Sequence, residues 1–292
     1  MNLHSIIRRI IVFVRKFVLP QPLEDDDAQQ CIAKVLSSPN PCMIGRFGSA
    51  EIQAVVNSIL PPPFSLFLRK RTWNNIFNNA GFFPVNKNTL SQFKDLMIDS
   101  MKQCDVLASW RIEECLFKKE LKHSTRIMLS ALGPIDKSNS WHYVLEGKKV
   151  LVVSPFAELI KEQYENKREL IWEKGHVLPP FEKLLTLKSV NSIGGHCEFA
   201  SWFDALEWMK KEIEQMDFDI AILGCGAYGY PLAAYIKLTG KKAIHIGGAT
   251  QLFFGIKGKR WEKSTFINEH WVSPRIEDRP KGWEKVEGGC YW

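Results

Sequence analysis

Apolar residues along this chain fall into short continuous runs that alternate with longer amphipathic stretches. The runs have the length of buried strands and lie at 41–47, 104–110, 149–153, 219–223 and 242–246. The stretches have the apolar spacing of helices and lie at 24–37, 51–60, 90–101, 158–173, 203–216 and 231–238. Residues 64–84 are rich in Phe, Asn and Arg without clean periodicity, and we expect an irregular or partly helical insertion there.

This alternation of strands and helices predicts an α/β fold. Short, nearly continuous apolar strands are typical of a parallel sheet that is buried on both faces. We therefore expect a Rossmann-like, mostly parallel sheet with helices on both faces, preceded by an amphipathic N-terminal helix. In such sheets ligands bind at the carboxyl ends of the strands. The loops to search for chemistry are those after Ile44, Val153, Leu223 and Ile246.

The first 22 residues form a segment of their own. Residues 5–19 are too few and too charged to span a bilayer, and no signal-peptide cleavage site follows them. On a helix, the basic residues of this segment share one arc and most of its Ile, Val and Phe residues share the other. Such a helix lies in an anionic membrane surface, or it docks on its own domain or on a second subunit. We predict the membrane surface for residues 1–22 and a single α/β domain for residues 23–292.

Composition narrows the range of partners and compartments. A formal charge of +7 favours anionic partners. We find no zinc-finger spacing and no aromatic signature of a single-strand RNA binder, so we predict no nucleic-acid partner. The seven cysteines are scattered without a C-x-x-C pair, which indicates reduced thiols in the cytosol. We expect a cytoplasmic protein that is peripheral on the inner face of the membrane.

The first candidate motif is a G-x-G-x-x-G sequence at 224–229, between a predicted strand and a predicted helix. Glycines let the backbone approach an anion, and the N–H groups at a helix start bind phosphate. A nicotinamide fingerprint would need an acidic residue about 20 positions further on, and none is found there. Phosphate binding is favoured over a redox cofactor, and a purely structural turn stays open. The candidate binding residues are Gly224, Gly226, Ala227, Tyr228 and Gly229.

The second motif, R-F-G-S-A-E at 46–51, directly follows the first strand. Arg46 could pair with phosphate through two parallel hydrogen bonds, with Gly48 and Ser49 beside it. Glu51 could serve as a general base or a metal ligand. In a simpler interpretation, Ser49 caps a helix and Glu51 is only an acid of its first turn.

The third motif begins at Gly247 and Gly248 after the last strand. A basic run follows, in which Lys257, Lys259 and Arg260 could cover a diphosphate while Trp261 packs on a ring. A solvated basic loop with a core tryptophan is the alternative. Second choices for a site are Trp110 with Glu113 and Glu114, and His196 with Glu198.

Together these three motifs resemble the GT-D glycosyltransferase family over about residues 40–262. The resemblance implies a Rossmann-like α/β domain and a nucleotide-sugar donor such as UDP-glucose, used in building bacterial surface glycans. The family carries an R-[FY]-G-D-G-E element whose D-x-E carboxylates hold a divalent metal and the sugar nucleotide. Here Arg46, Phe47, Gly48 and Glu51 match that element, whereas Ser49 replaces its aspartate and Ala50 its second glycine.

The replacement at Ser49 removes one carboxylate that would hold Mn²⁺ or Mg²⁺, and such cations are bound chiefly by carboxylate and phosphate oxygens. Three outcomes stay open. A metal could be held by Glu51 and the diphosphate, or cations of the 257–260 run could replace it, or activity could be lost. We favour weak metal use or none, because cations can neutralise a leaving diphosphate.

The sequence therefore predicts a glycosyltransferase that moves a sugar from a nucleotide diphosphate donor, most simply a UDP-sugar, to a glycan or lipid-linked acceptor in surface polysaccharide synthesis. Glu51 is the candidate catalytic residue. Two other classes stay open. One is a noncatalytic nucleotide- or glycan-binding subunit of a membrane-associated assembly, and the other is a dinucleotide-dependent oxidoreductase.

Overall fold

The computed structural model describes residues 17–292. Most of the predicted membrane-surface helix, residues 1–16, therefore lies outside the described residues. Within residues 17–292, no helix is both long enough and apolar enough to cross a membrane.

Seven strands form one parallel sheet. They are β1 (Cys42–Gly45), β2 (Val106–Ser109), β3 (Thr125–Met128), β4 (Lys149–Ser154), β5 (Lys183–Lys188), β6 (Ile220–Leu223) and β7 (Lys242–His245). Their order across the sheet is β3-β2-β1-β7-β6-β4-β5, and each neighbouring pair runs parallel. The strand order reverses between β6 and β4, because the connection after β4 leads to β5 at one edge and the connection after β6 leads to β7 on the other side. Ligands of open α/β sheets bind at this position.

Eight α-helices lie wholly within the described residues and accompany the sheet. They are α1 (Asp25–Ser37), α2 (Ser49–Ile59), α3 (Phe64–Asn79), α4 (Lys87–Met101), α5 (Ala157–Ile171), α6 (Trp202–Glu214), α7 (Gly229–Leu238) and α8 (Thr250–Phe253) among the described residues. Short 3₁₀ turns precede α7 and α8, at Gly226–Tyr228 and Gly247–Ala249. The predicted α/β fold with a parallel sheet is confirmed.

Alternate residues of the strands face two separate cores. Met43, Leu151 and Ala243 belong to the core under α2, α4, α6 and α7, whereas Ile44 and Val150 belong to the core under α1 and α5. Successive side chains of a strand point to opposite faces of the sheet. The helices therefore cover both faces of the sheet. The carboxyl ends of the strands and the loops that follow them stay accessible to a ligand.

Three local predictions need correction. Strands β3 and β5 were not predicted, because they are edge strands with polar and partly exposed residues. Residues 64–79 form the regular helix α3, where the sequence predicted an irregular or partly helical insertion over 64–84. Only Thr72 and Ile76 of that helix are buried, so its sequence has almost no apolar periodicity to read.

Helix α7 lies so close to β7 that only glycine fits at its first position. The backbone of Gly229 is helical, with φ of −61° and ψ of −43°. A Cβ on Gly229 would overlap the ring of His245, which is buried at the end of β7. The last glycine of the G-x-G-x-x-G motif therefore serves helix–strand packing.

Gly229→Ala should lower the free energy of unfolding by about 1–3 kcal/mol, because the added methyl group must displace the His245 ring. The same substitution in a His245→Ala background should be neutral or slightly stabilising, because alanine is the better helix former. Thermal unfolding of the two single variants and the double variant measures this coupling. Equal losses in both backgrounds would show that the His245 ring is not the obstacle.

Candidate functional site

A cavity of about 550 Å³ opens at the carboxyl ends of the central strands. The loops after β1, β4, β5, β6 and β7 all contribute to it, as do α3 and the last residues of the chain. Its polar and glycine lining includes Arg46, Gly48, Ser49, Glu51, Asn75, Asn79, Ser154, Asn191, Ser192, Gly224, Gly226, Tyr228, Gly247, Gly248, Thr250, Arg260 and Glu287. The structure thus brings the three sequence motifs to one place.

Glu51 reaches the cavity by folding back over Gly48. Gly48 is the N-cap of α2 and Ser49 is its first helical residue, so the expectation that Ser49 caps this helix is wrong. A Cβ on Gly48 would coincide with the carboxylate of Glu51. Gly48 is therefore glycine because the Glu51 carboxylate lies directly against its Cα atom.

Burial raises the pKa of Glu51 above its usual value. A hydrogen bond to its own backbone and the nearby charge of Arg46 oppose that shift, while Glu287 adds to it. A carboxyl group whose pKa is raised toward neutrality is a better proton acceptor at working pH than an ordinary glutamate. Glu51 is thus suited to acid–base chemistry as well as to helix initiation.

Arg46 presents a cation to the same cavity. Its guanidinium lies over the Trp110 ring, 5.4 Å from the ring centroid. It also lies against Gly247, where a Cβ would come within 3.3 Å of the Arg46 Cζ atom and where φ is 78°. The Nε atom of Arg46 is buried and has no hydrogen-bond partner among the described residues. A buried guanidinium donor without an acceptor is suited to an anionic ligand.

A buried ion pair fixes the position of Trp110. Glu114 is fully buried and accepts hydrogen bonds from the backbone N–H groups of Trp110 and Arg111, at 2.9 and 2.8 Å. Its other oxygen lies 2.6 Å from Nη1 of Arg126. The indole Nε1 of Trp110 in turn donates to the carbonyl of Phe47 at 2.9 Å. Glu114 therefore positions the aromatic platform of Arg46.

Some residues of the glycine loop line the cavity and others are buried in the core. Gly226 has φ of 57° and little around it, since an added Cβ would meet only the carbonyl of Ala80 at 3.8 Å. The first N–H groups of the 3₁₀ turn at Gly226–Tyr228 have no intrahelical acceptor. Ala227 is buried in the core and does not line the cavity. Gly226 and its neighbouring N–H groups are the part of the loop suited to an anion.

Tyr228 lines the cavity but is firmly held. Its ring stacks on Trp202 at 4.9 Å, and its hydroxyl lies 2.6 Å from Oγ of Ser192. Burial raises the pKa of Tyr228 above its usual value. Its hydroxyl therefore stays neutral and serves as a fixed part of the wall.

Three buried polar atoms of the cavity wall have no hydrogen-bond partner within residues 17–292. They are Nε of Arg46, Oγ1 of Thr250 and Nε1 of Trp292. Buried polar groups of folded proteins are nearly always hydrogen-bonded, so a cluster of such exceptions points to a ligand or to water. These atoms lie on the loops after β1 and β7 and on the C-terminal segment, and they define the polar side of the cavity.

The chain's last residues close the site, a feature that the sequence did not reveal. Tyr291 lies on Gly248, where an added Cβ would overlap its ring. Arg260 lines the cavity, forms an ion pair with Glu287 and donates to the Tyr291 hydroxyl at 3.1 Å. This C-terminal segment therefore holds the basic run against the loop after β7.

Other members of the predicted basic run lie elsewhere. Lys257, Lys259 and Trp261 are not part of the cavity lining, and Trp261 packs beside the core under α5. Among the second choices, Glu113 pairs with Arg111, and His196 lies outside the lining. Of the cations proposed from sequence, only Arg46 and Arg260 reach the cavity.

Two residues with reactive side chains at the cavity are held neutral. Burial raises the pKa of the Cys225 thiol to about 12. Burial, assisted by the charge of Arg46, lowers the pKa of His245 to about 3. A thiol and an imidazole in these states supply neither a thiolate nucleophile nor a cation at neutral pH.

The donor set does not fit a divalent cation held by the protein alone. Glu51 and Glu287 are the acidic residues of the cavity lining, and Glu287 is paired with Arg260. No group of three or more His, Cys, Asp or Glu side chains that could hold a metal occurs in the described part of the chain. Hard cations need several oxygen ligands, so a divalent cation at this site would also need the oxygens of a bound diphosphate.

No protein-family model and no curated protein matches the chain. Similar solved structures include a domain of unknown function 1792, described as highly conserved and as having a distinct glycosyltransferase fold. It is 12% identical over 90% of this chain and 94% of its own, with a TM-score of 0.47. A selenomethionine-substituted structure of domain of unknown function 1792 is 11% identical over the same shares, with a TM-score of 0.46.

A third similar structure is described as a new glycosyltransferase (DUF1792) from Streptococcus sanguinis. It is 11% identical over 88% of this chain and 96% of its own, with a TM-score of 0.40.

The raised pKa of Glu51 predicts a pH-dependent stability. In the unfolded chain Glu51 loses its proton near the ordinary value of 4.5, whereas the folded state retains it to higher pH. The folded state therefore binds more protons above pH 4.5, and its stability falls as pH rises through the folded pKa. Glu51→Gln should raise the melting temperature near pH 8, and this gain should disappear as pH falls toward 4.5.

Thermal unfolding between pH 4.5 and 8 measures this difference. Glu269→Gln is the control, because the side chain of Glu269 is 83% exposed and should give no pH-dependent gain. A constant difference between Glu51→Gln and the parent at every pH would contradict a perturbed Glu51.

Proposed function

We propose that this protein is a glycosyltransferase that uses a nucleotide diphosphate sugar, with a UDP-sugar as the first candidate. The sugar passes to a glycan or lipid-linked acceptor, in a role such as surface polysaccharide synthesis. The observation that carries the proposal is the meeting of Arg46, the glycine loop and Glu51 in one cavity at the strand-order reversal. A volume of about 550 Å³ suits a nucleotide sugar, since small-molecule sites commonly span about 300–1,000 Å³.

In this proposal the diphosphate lies between the glycine loop and Arg46. The N–H groups at the Gly226 turn and the unpartnered Nε of Arg46 supply donors. Arg260 adds a second cation from the C-terminal side. Positive charge fixed where the leaving group develops its negative charge lowers the barrier for departure.

Glu51 is the proposed proton acceptor. The acceptor hydroxyl oxygen forms a bond to the anomeric carbon while the bond from that carbon to the diphosphate oxygen breaks. The electron pair of the broken bond leaves with the nucleoside diphosphate, and the hydroxyl proton passes to the Glu51 carboxylate. Burial of Glu51 supports this role because it raises the pKa of the accepting group.

Ser49 bears on metal use. It lines the cavity, and Glu51 is the acidic residue of α2, so the cations take the charge-neutralising role in this proposal. A metal held jointly by Glu51 and the bound diphosphate is the alternative that the Ser49→Asp variant tests.

A noncatalytic nucleotide-binding subunit is the second candidate, and the serine at position 49 favours it. A dinucleotide-dependent oxidoreductase has less support, because β7 ends at His245 without an acid for a ribose and that ring packs on Gly229. Turnover distinguishes the first alternative from the transferase.

Gly226→Val should abolish binding of UDP while the fold is kept. The substitution places a branched side chain at the turn where the backbone approaches the phosphates. Gly240→Val is the matched control, because Gly240 also has positive φ, at 87°, but faces open space away from the cavity. Both variants should lose similar stability through backbone strain, and only Gly226→Val should lose UDP affinity in isothermal titration. Equal affinity in both variants would make the loop a structural turn.

Glu51→Gln should reduce sugar transfer or donor hydrolysis by roughly 100-fold or more, the usual loss when a positioned base is removed. UDP binding should persist, because Arg46 and the glycine loop are untouched. Ser49→Asp should increase the dependence on Mn²⁺ if the second carboxylate creates a metal site. The measurement is turnover of UDP-glucose and other UDP-sugars across a manganese titration, with Glu269→Gln as the control.

Parent-like turnover in Glu51→Gln would exclude the catalytic role of Glu51. If the parent and every variant bind UDP but show no turnover, the protein is a noncatalytic nucleotide-binding subunit.

A further inference from the structure

Helix α3 exposes an apolar surface at its first two turns. Phe67 is 87% exposed, Phe64 is 64% exposed and Leu66 is 52% exposed. Single exposed apolar residues are common on proteins, but a contiguous group of this size marks an interaction site. We call the following residues the α3 surface: Phe64, Leu66, Phe67, Leu68, Lys70 and Arg71.

The charged residues of α3 itself are Arg69, Lys70 and Arg71, so they have one sign. Lys70 and Arg71 are exposed and form no salt bridge within residues 17–292. Arg69 lies over the Trp73 ring, 5.5 Å from its centroid. The sequence has no acidic residue between Glu51 and Asp95. An apolar surface whose helix carries only cations is complementary to a negatively charged partner with an apolar interior.

We propose that the α3 surface docks on an anionic lipid bilayer. Interfacial helices combine buried aromatic and aliphatic side chains with Lys and Arg that attract anionic head groups, and the α3 surface has both parts. A second copy of this chain fits less well, because the cations of the two copies would face each other across the contact.

Docking at α3 would bring the cavity close to the membrane. Asn75 and Asn79, on the last two turns of α3, line the cavity. Asn75 lies eight residues beyond Phe67, which is about 12 Å along the axis of an α-helix. A lipid-linked acceptor with its sugar at the head-group level would then lie beside the cavity wall. This last consequence rests on the proposed function, whereas docking itself does not.

The test is co-sedimentation of the full chain with phosphatidylcholine vesicles with and without phosphatidylglycerol. Phe64→Ser and Phe67→Ser should each weaken binding to the anionic vesicles by about tenfold, since a buried aromatic ring contributes that much. Lys70→Gln and Arg71→Gln should each weaken it by about fivefold, as expected for a cation near an anionic surface. Ile276→Ser is the control, because Ile276 is 80% exposed and follows Arg275, which pairs with Glu162 of α5 on the other face of the sheet. This variant should change nothing.

The residue 1–19 deletion separates α3 from the N-terminal segment. In the deleted chain, binding to anionic vesicles should persist in part, and Phe67→Ser should weaken the remainder by about tenfold. Parent-like vesicle binding by Phe67→Ser in both chains would overturn the proposal. So would a dimer that Phe67→Ser dissociates in sedimentation velocity, since the surface would then be occupied by a second copy. UDP binding should be unchanged in all α3 variants, so failure of the docking proposal is distinguishable from failure of the proposed function.

Discussion

The partly buried charge of Arg46 is the constraint around which the site is arranged. An isolated charge is costly to remove from water unless other groups compensate it. Here Trp110 lies under the guanidinium and the bare backbone of Gly247 lies against it. The Glu51 carboxylate is near enough for the arginine's charge to oppose the rise in the pKa of Glu51 that burial causes. The compensation is incomplete, because Nε of Arg46 is left without an acceptor. A bound anion would supply the missing acceptor, so the site gives up stability in the free protein and regains it on binding.

The elements around Arg46 come from distant parts of the chain. Trp110 is held by the buried Glu114–Arg126 pair beyond β2, whereas Gly247 follows β7 and Tyr291 lies near the chain's end. The parallel sheet brings these segments together because the carboxyl ends of all its strands lie at one edge. The fold thus acts as a scaffold, and the chemistry depends on a few close contacts between its loops.

The central strands could be predicted because burial on both faces leaves a continuous apolar run. Every residue of β1 and β6 is buried, and both strands follow from the sequence. The edge strands β3 and β5 carry Thr, Arg and Lys and are partly exposed, so tertiary pairing and not local pattern determines them. Helix α3 was predicted only as an irregular or partly helical insertion for a related reason, since most of its surface faces solvent.

The candidate site could be predicted in part. The loops after β1, β6 and β7 were identified because glycines and an arginine follow apolar strands, and all three line the cavity. Lys257 was placed there on charge alone, and the structure puts it outside the lining. Glu287 and Tyr291 were missed because the C-terminal segment has no periodicity, and only tertiary contacts bring it to Gly248 and Arg260.

The contact between Gly48 and Glu51 has a consequence for sequence divergence. The carboxylate lies in the space that any side chain at position 48 would need. A substitution of Gly48 therefore displaces Glu51, whatever the new side chain's chemistry. Once Glu51 is replaced by a short residue, position 48 loses its steric constraint. Substitutions at the two positions are therefore coupled: the carboxylate must be lost before the glycine or together with it.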